Sequence, residues 1–375
     1  MTQLNWLLFA ISVSTWSDIY AFQSSRRFPD NFILRQTFPV NQIPSITGNN
    51  VRGSTYGLEN NSTIPTPEQI AQSLGVRPTK ANVTKNTWST AWKLQKMMIP
   101  ILHMFDSCKP VDSSLNLACM WWKALAGNDL SSPAYDNGLA YDMLPRFMRR
   151  VISQRMIRFY PRLHHANVEL RTVFLDKAIL QLIRNLINEN NKSRPIKVRL
   201  IFLGAGYDTR CLRVIEKDYP LIEQIYDLDL PRVIIAKERL IQRRLLKRRP
   251  WLRKKILPIL RPIDLNDLEG VRETLSGIIE HDRLEPNVIF HTIFVFEGVM
   301  IYLNEGIPSQ LLHVISDVLK AKGSRGSLCF ADRLEQIPGG DKTIARHELL
   351  KHGWTLQEWC PKPGLARHMG TASMV

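Results

Sequence analysis

Along the C-terminal half of the chain, short apolar runs alternate with stretches in which apolar residues recur every three or four positions. Residues 198–203, 222–228, 256–263, 288–296 and 327–331 read as strands. Residues 209–216, 232–246, 268–279 and 309–320 read as the helices between them. Such alternation predicts an α/β, Rossmann-like fold, a mostly parallel sheet with helices on both faces. Ligands of such sheets sit beyond the carboxyl ends of the strands. Upstream, Trp92, Met97, Ile101, Met104 and Phe105, then Leu117, Trp121, Trp122 and Leu125, keep helical spacing, as do residues 146–160 and 168–187. A helical lid region over 91–195 is therefore expected before a core at 196–375. The last segment, 359–370, is compact and leaves little room for further strands.

Chemistry-bearing residues fall where the strands end. Gly204-Ala-Gly206 follows the first strand, where glycines allow a tight turn and close approach to a ligand. Thr209 can cap the following helix, whose N-terminal amides favour an anionic group. The pair of glycines alone suits several nucleotides, and no third glycine stands at the dinucleotide spacing. Asp227 and Asp229 lie 21 and 23 residues beyond Gly206, where a carboxylate can accept from ribose hydroxyls. Alternation points the two the same way, so one of them can be merely solvent-facing. Asp264 can accept from an adenine amino group while Leu265 packs on the ring. Glu297 closes the fourth strand between apolar flanks, a costly place for a charge unless it is paired. Its partner is either the ammonium or sulfonium of an amino-acid cofactor, or a nearby arginine.

These segments resemble the leucine carboxyl methyltransferase family, which includes bacterial O-methyltransferase relatives. The glycine motif is similar to Leu203-Gly-Ala-Gly-Tyr-Asp-Thr-Arg210, and the second motif to Tyr226-Asp-Leu-Asp-Leu-Pro231, with Glu more usual at Asp227. The fourth motif is similar to Phe296-Glu-Gly-Val-Met-Ile-Tyr-Leu303, and an upstream Arg-Thr-x-x-x-x-Asp helix to Arg171 through Asp176. The resemblance implies S-adenosylmethionine as cofactor, held by Arg171, Gly204, Gly206, Asp229, Asp264, Leu265 and Glu297. Arg171 would pair with the methionine carboxylate and Glu297 would lie near its amino group. Asp229 would hold the ribose, and Tyr302 would belong to the acceptor pocket. The family's lid segment has only a loose echo in Ala140-Tyr-Asp-Met-Leu-Pro145, so the acceptor is the least defined part.

Charge and composition refine this picture. Fifty Lys and Arg against 34 Asp and Glu give a net charge of +16, which favours acidic partners: nucleic acid, anionic membrane or acidic protein tails. The densest run, Arg239–Lys255, holds nine Lys/Arg in 17 residues. It is either the solvated face of a helix or a docking surface for RNA, acidic protein or anionic lipid. A carboxylate acceptor, on a protein C-terminus or a small molecule, is ionised at neutral pH and needs no base. A hydroxyl acceptor asks for one. His164, His165, His281, His291 and His313 stand in no telling context, so no catalytic residue is assigned and no metal site is expected. A small-molecule O-methyltransferase on the same fold, and a non-catalytic nucleic-acid-binding protein, are the competing readings.

The N-terminal part has a different character. Residues 4–16 are apolar, too short to span a bilayer, and are followed by Ala21-Phe22, as in a signal peptide over 1–21. An ordinary buried helix is the alternative. Between Phe22 and Thr87 seven Lys/Arg face three Asp/Glu in a stretch rich in Ser, Thr, Asn, Gln and Pro. Residues 22–90 thus read as a transit-like linker, and the two parts together resemble a plastid presequence of the signal-plus-transit kind. Secretory and cytoplasmic destinations are the alternatives, with no transmembrane span in the mature protein. Five scattered cysteines fit reduced thiols rather than a disulfide framework.

Overall fold

The computed structural model describes residues 111–127, 134–144, 149, 163–189, 195–217, 219, 221–255, 257–280, 287–332, 342–361 and 368–375. The expected presequence and linker, and the helices expected at 92–110 and (apart from residue 149) 146–160, lie outside the described residues. Among the described residues three helices precede the sheet: α1 (Val111–Gly127), α2 (Leu139–Met143) and α3 (Leu163–Glu189). The core then runs β1 (Ile196–Leu203), α4 (Arg210–Lys217), β2 (Ile222–Asp229) and α5 (Pro231–Leu240). It continues through β3 (Ile259–Pro262), α6 (Leu268–Ile279), β4 (Ile289–Glu297), α7 (Ile307–Lys322) and β5 (Arg325–Asp332). It closes with α8 (Lys342–Lys351), β6 (Trp354–Pro361) and β7 (His368–Met374).

The seven strands form one sheet in the order β3-β2-β1-β4-β5-β7-β6. The first five strands in sequence pair in parallel, and β7 lies antiparallel between β5 and β6. The chain leaves β1 for β2 on one side and later returns to place β4 on the other. A crevice therefore opens at the carboxyl ends of β1 and β4, the usual ligand position of such sheets.

Central strands are covered on both faces, which is why β1 is buried at all but one position and reads as a continuous apolar run. Val198, Leu200 and Phe202 pack with α1, α3, α4 and α5 on one face. Ile201, Leu203, Phe294 and Phe296 pack with α6, α7 and α8 on the other. The long amphipathic α7 ends at Gly323, whose left-handed φ of 65° closes the last turn.

Three expectations need correction. The tail is not short of strands: 354–361 and 368–374 form the β6–β7 hairpin, where Trp354, Trp359 and Met369 bury themselves against β5 and its neighbours. The helix expected at 232–246 is regular only to Leu240 and continues as a π turn at Ile241–Leu245 and a last turn at Leu246–Arg248. The third strand is four residues long, an edge element paired only with β2 and ended by Pro262, which has no N–H to donate.

Candidate functional site

The turn after β1 is shaped by its glycines. Gly204 sits at φ 63°, and a Cβ there would lie 2.2 Å from Cγ2 of Val299, so neither the backbone conformation nor the space accepts a side chain. Gly206 sits at φ 48°. Its amide donates to Asp229 Oδ2 at 2.6 Å, while the Leu230 amide donates to Asp229 Oδ1 at 2.7 Å. The end of β2 is thus tied to the glycine turn through one carboxylate. Burial pushes the Asp229 carboxyl above its ordinary range, and the two amides oppose the rise. Each carboxylate oxygen keeps a further lone pair for a ligand donor.

Beyond β3, Asp264 accepts from the amide and side chain of Asn266 at 2.9 and 3.2 Å, which shapes that turn, and Leu265 is buried beside it. Beyond β4, Gly298 and a short 3-10 turn (Met300–Tyr302) lead to the exposed Tyr302 ring. Asp332, fully buried at the end of β5, accepts from the Val299 and Met300 amides at 2.6 and 2.9 Å and fixes that loop.

At the centre lies a buried ionic network. Glu297 faces Arg210 Nη2 at 2.6 Å, Lys123 Nζ at 3.0 Å and Arg171 Nε at 3.4 Å. Asp208 pairs with Lys123 at 2.9 Å and with Arg210 at 2.5 Å. Asp176 on α3 pairs with Arg210 and Arg213, each at 2.8 Å. Burial pushes the Glu297 carboxyl up, but Lys123, Arg210 and Arg171 together outweigh it and hold it at about 2. Asp208 is held far below its usual range in the same way, burial being overcome by Arg210 and Lys123. Glu297 and Asp208 thus stay ionised beside Arg210, whose own pKa is raised, burial being outweighed by the same acids, so the network offers both signs to an incoming zwitterion.

Arg171, Gly204, Gly206, Asp229, Asp264, Leu265, Glu297 and Tyr302 all line one cavity of about 900 Å³. Of the two partners considered for Glu297, the arginine is present twice over and a lysine joins it. Asp227 does not join the cavity. It is buried rather than solvent-facing, 2.7 Å from the buried Lys237 Nζ, and it accepts from Cys211 Sγ at 3.1 Å. Thr209 donates its hydroxyl to Asp136 Oδ2 at 3.3 Å. Asp136 also accepts from the Gly138 and Ala140 amides at 2.9 and 3.0 Å, so it starts α2 and ties it to the glycine motif. Asp136, not the looser echo at 140–145, joins the helical region to the turn.

Sequence reasoning missed Lys123, Asp208, Arg210 and Asp136 as site residues. Asp208 and Arg210 were in plain view within the glycine motif. The signal for Lys123 was a single lysine inside the apolar Met120-Trp-Trp-Lys-Ala-Leu125. Among the described residues no group of three or more His, Cys, Asp or Glu is placed to hold a metal.

Residues 121–316, just over half of the chain, match the leucine carboxyl methyltransferase family. The chain belongs to that family. Its fold and cofactor class are those of S-adenosylmethionine-dependent methyltransferases. Comparison with curated proteins finds no match. Among solved structures, the chain is similar to magnesium protoporphyrin IX methyltransferase from Synechocystis PCC 6803, at 11% identity over 64% of this chain and 94% of that one, with TM-score 0.36. It is also similar to the glycopeptide N-methyltransferase MtfA, at 11% identity over 52% of this chain and 86% of that one, with TM-score 0.30. A third is a pericyclic reaction enzyme, at 13% identity over 51% of this chain and TM-score 0.30, of which this chain spans less than half, 46%.

The residues present fit the cofactor of the family. Lys123, Arg171 and Arg210 suit its carboxylate, and Glu297 suits its ammonium and sulfonium. Asp229 has acceptor capacity left for hydroxyls, and Ile263 and Leu265 give an apolar wall for a base.

Proposed function

We propose that the protein methylates a carboxylate oxygen of its acceptor, with S-adenosylmethionine as donor. The observation that carries the reading is a further cation on the cavity wall: beyond Lys123, Arg171 and Arg210, which serve Glu297 and the donor's carboxylate, Arg232 lines it together with Tyr302. When bound, the cofactor would supply an activated methyl group and a neutral thioether leaving group able to take the electron pair of the C–S bond. Arg171 and Lys123 hold the amino-acid carboxylate of the donor, and Glu297 its ammonium. Gly204 and Gly206 let the backbone approach, Asp229 holds the ribose, and Asp264 with Leu265 frames the adenine. Arg232 and Tyr302 steer and align the acceptor, and alignment supplies much of the acceleration of an in-line displacement. A carboxylate acceptor arrives ionised, so the cavity has no proton to remove.

The test uses the full-length protein with methyl-labelled S-adenosylmethionine. Acceptors are peptides ending in a free leucine carboxylate, their C-terminally amidated counterparts, small carboxylic acids and small phenols. The expected result is labelled product from free carboxylates only, released as methanol by mild alkali. An alkali-stable product, or equal labelling of amidated peptides or phenols, overturns the carboxylate reading and leaves methyl transfer standing. Absence of cofactor binding overturns both.

A further inference from the structure

The segment after β2 serves two opposite directions. On its inner side, Arg244 donates to the Leu144 carbonyl at 3.1 Å, and Arg248 and Arg249 grip Asp142 of α2 at 3.0 and 2.8 Å. On its outer side, the continuous helical rod from Pro231 to Arg248 exposes Ile235, Glu238, Arg239, Gln242, Arg243 and Lys247. The positions between them, Ala236, Lys237, Leu240, Ile241, Leu245 and Leu246, are buried, and a π turn spans Ile241–Leu245. The rod ends at Arg249, and Pro250 opens a 3-10 turn that exposes Trp251, Arg253 and Lys254. Ile235 is 49% and Trp251 40% exposed. Among the described residues no acid forms an ion pair with Arg239, Arg243, Lys247, Arg253 or Lys254, and Glu238 is the one acid among the exposed residues of this surface.

We infer that this surface docks on an anionic lipid bilayer. Like charges gathered without counter-charges repel one another, and an external anionic surface removes that repulsion. A bilayer fits better than a nucleic acid. Single-stranded nucleic acids are held on successive aromatic rings, whereas this surface offers one indole and one aliphatic side chain among the cations. An amphipathic indole flanked by Lys and Arg is the composition that settles at the headgroup level. The same helix walls the cavity with Pro231, Arg232 and Val233, so a bilayer on this surface lies along the element that borders the proposed acceptor end. The inference does not depend on the acceptor's identity.

The experiment compares sedimentation of the full-length protein with phosphatidylcholine vesicles that contain or lack phosphatidylserine. Binding is expected only with phosphatidylserine, and it should weaken steeply from about 50 to about 500 mM salt. The variant carrying Arg243→Glu, Lys247→Glu, Arg253→Glu and Lys254→Glu keeps the apolar N-terminal run and should lose at least about a hundredfold in partitioning. Its melting profile is checked against the parent. Brominated lipids should quench part of the tryptophan fluorescence of the parent, and Trp251→Phe should remove that part without disturbing the fold. Equal binding to neutral vesicles, undiminished binding of the fourfold variant, or quenching that survives Trp251→Phe overturns the inference. Retention on single-stranded RNA with no vesicle binding overturns it in favour of a nucleic-acid partner.

Discussion

Glu297 ends an apolar strand yet is ionised, because Lys123, Arg171 and Arg210 converge on it from two preceding helices and from the helix after the glycine turn. Removing this buried carboxylate takes the Glu297 pair from Arg171 and leaves Lys123 and Arg210 to Asp208 and Asp176, a loss at or below the ~3–5 kcal/mol of a broken buried pair. Glu297→Gln is therefore expected to lower the unfolding free energy by up to that amount in a denaturant titration, and to weaken cofactor binding measured by calorimetry. The sign of the pH dependence follows from the depressed carboxyl. The stabilisation is fully present above the ordinary value of 4.5 and is lost as pH falls through about 2. Parent protein should lose stability across that window more steeply than Glu297→Gln; parallel curves would show that the three cations do not hold Glu297. Gly204 is constrained in another way, by its φ of 63° and by the Val299 methyl that meets any Cβ. Gly204→Ala should cost more than about 1 kcal/mol in the same titration. Adding Val299→Ala should recover only the steric part, since the left-handed backbone remains. At this scale the sequence revealed the strand-end residues, because turn glycines and strand-end acids are local signals. It did not reveal Lys123, whose partners lie 85 and more positions away.

At the scale of elements, the buried Asp227–Lys237 pair fastens β2 to α5. Burial pushes the Lys237 ammonium down, and the Asp227 carboxylate more than restores it, so its pKa lies above the ordinary lysine value. Lys237→Met alone should destabilise the protein by about 3–5 kcal/mol, by leaving a carboxylate unpaired in the core. Lys237→Met combined with Asp227→Leu should be far milder than the single change, because apolar pairs of similar volume often replace buried ion pairs without loss. A thermal or denaturant double-mutant cycle measures this, and a double variant worse than Lys237→Met would refute the assignment. The strands of the parallel core were legible as short apolar runs and its helices as a three-to-four-residue period: α6 runs over the expected 268–279, β1 and β2 gain two and one residues, and β4 is shifted by one, to 289–297. The β6–β7 hairpin was not legible. Its residues pair across a sheet with β5, and their burial comes from partners distant in sequence rather than from a short-range pattern. The π turn was equally hidden, since an inserted residue changes which positions face inward without changing composition.

For the whole molecule, the cavity is assembled by two parts of the chain that meet only in three dimensions. The sheet supplies Gly204, Gly206, Asp229, Asp264 and Glu297, and the preceding helices supply Asn116, Lys123 and Arg171. Among the described residues, the ties beside the cavity include the ionic network around Glu297 and the Thr209–Asp136 hydrogen bond that continues into α2. A ligand that bridges both parts stabilises the folded state by about 2.7 kcal/mol at a concentration a hundred times its dissociation constant. That gain should appear where the two parts meet. Hydrogen exchange with saturating S-adenosylmethionine is therefore expected to slow in α1, in α2, and at the carboxyl ends of β1, β2 and β4. It should leave the β6–β7 hairpin, on the far side of β5, unchanged. Asp136→Ala keeps every residue that lines the cavity but removes the acceptor of the Gly138 and Ala140 amides and of the Thr209 hydroxyl. In that variant protection should persist at the strand ends and vanish from α2. Protection confined to the glycine turn in the parent would mean that the helices merely adjoin the site. Protection of α2 that survives Asp136→Ala would locate the coupling in the remaining contacts, such as the grip of Arg248 and Arg249 on Asp142.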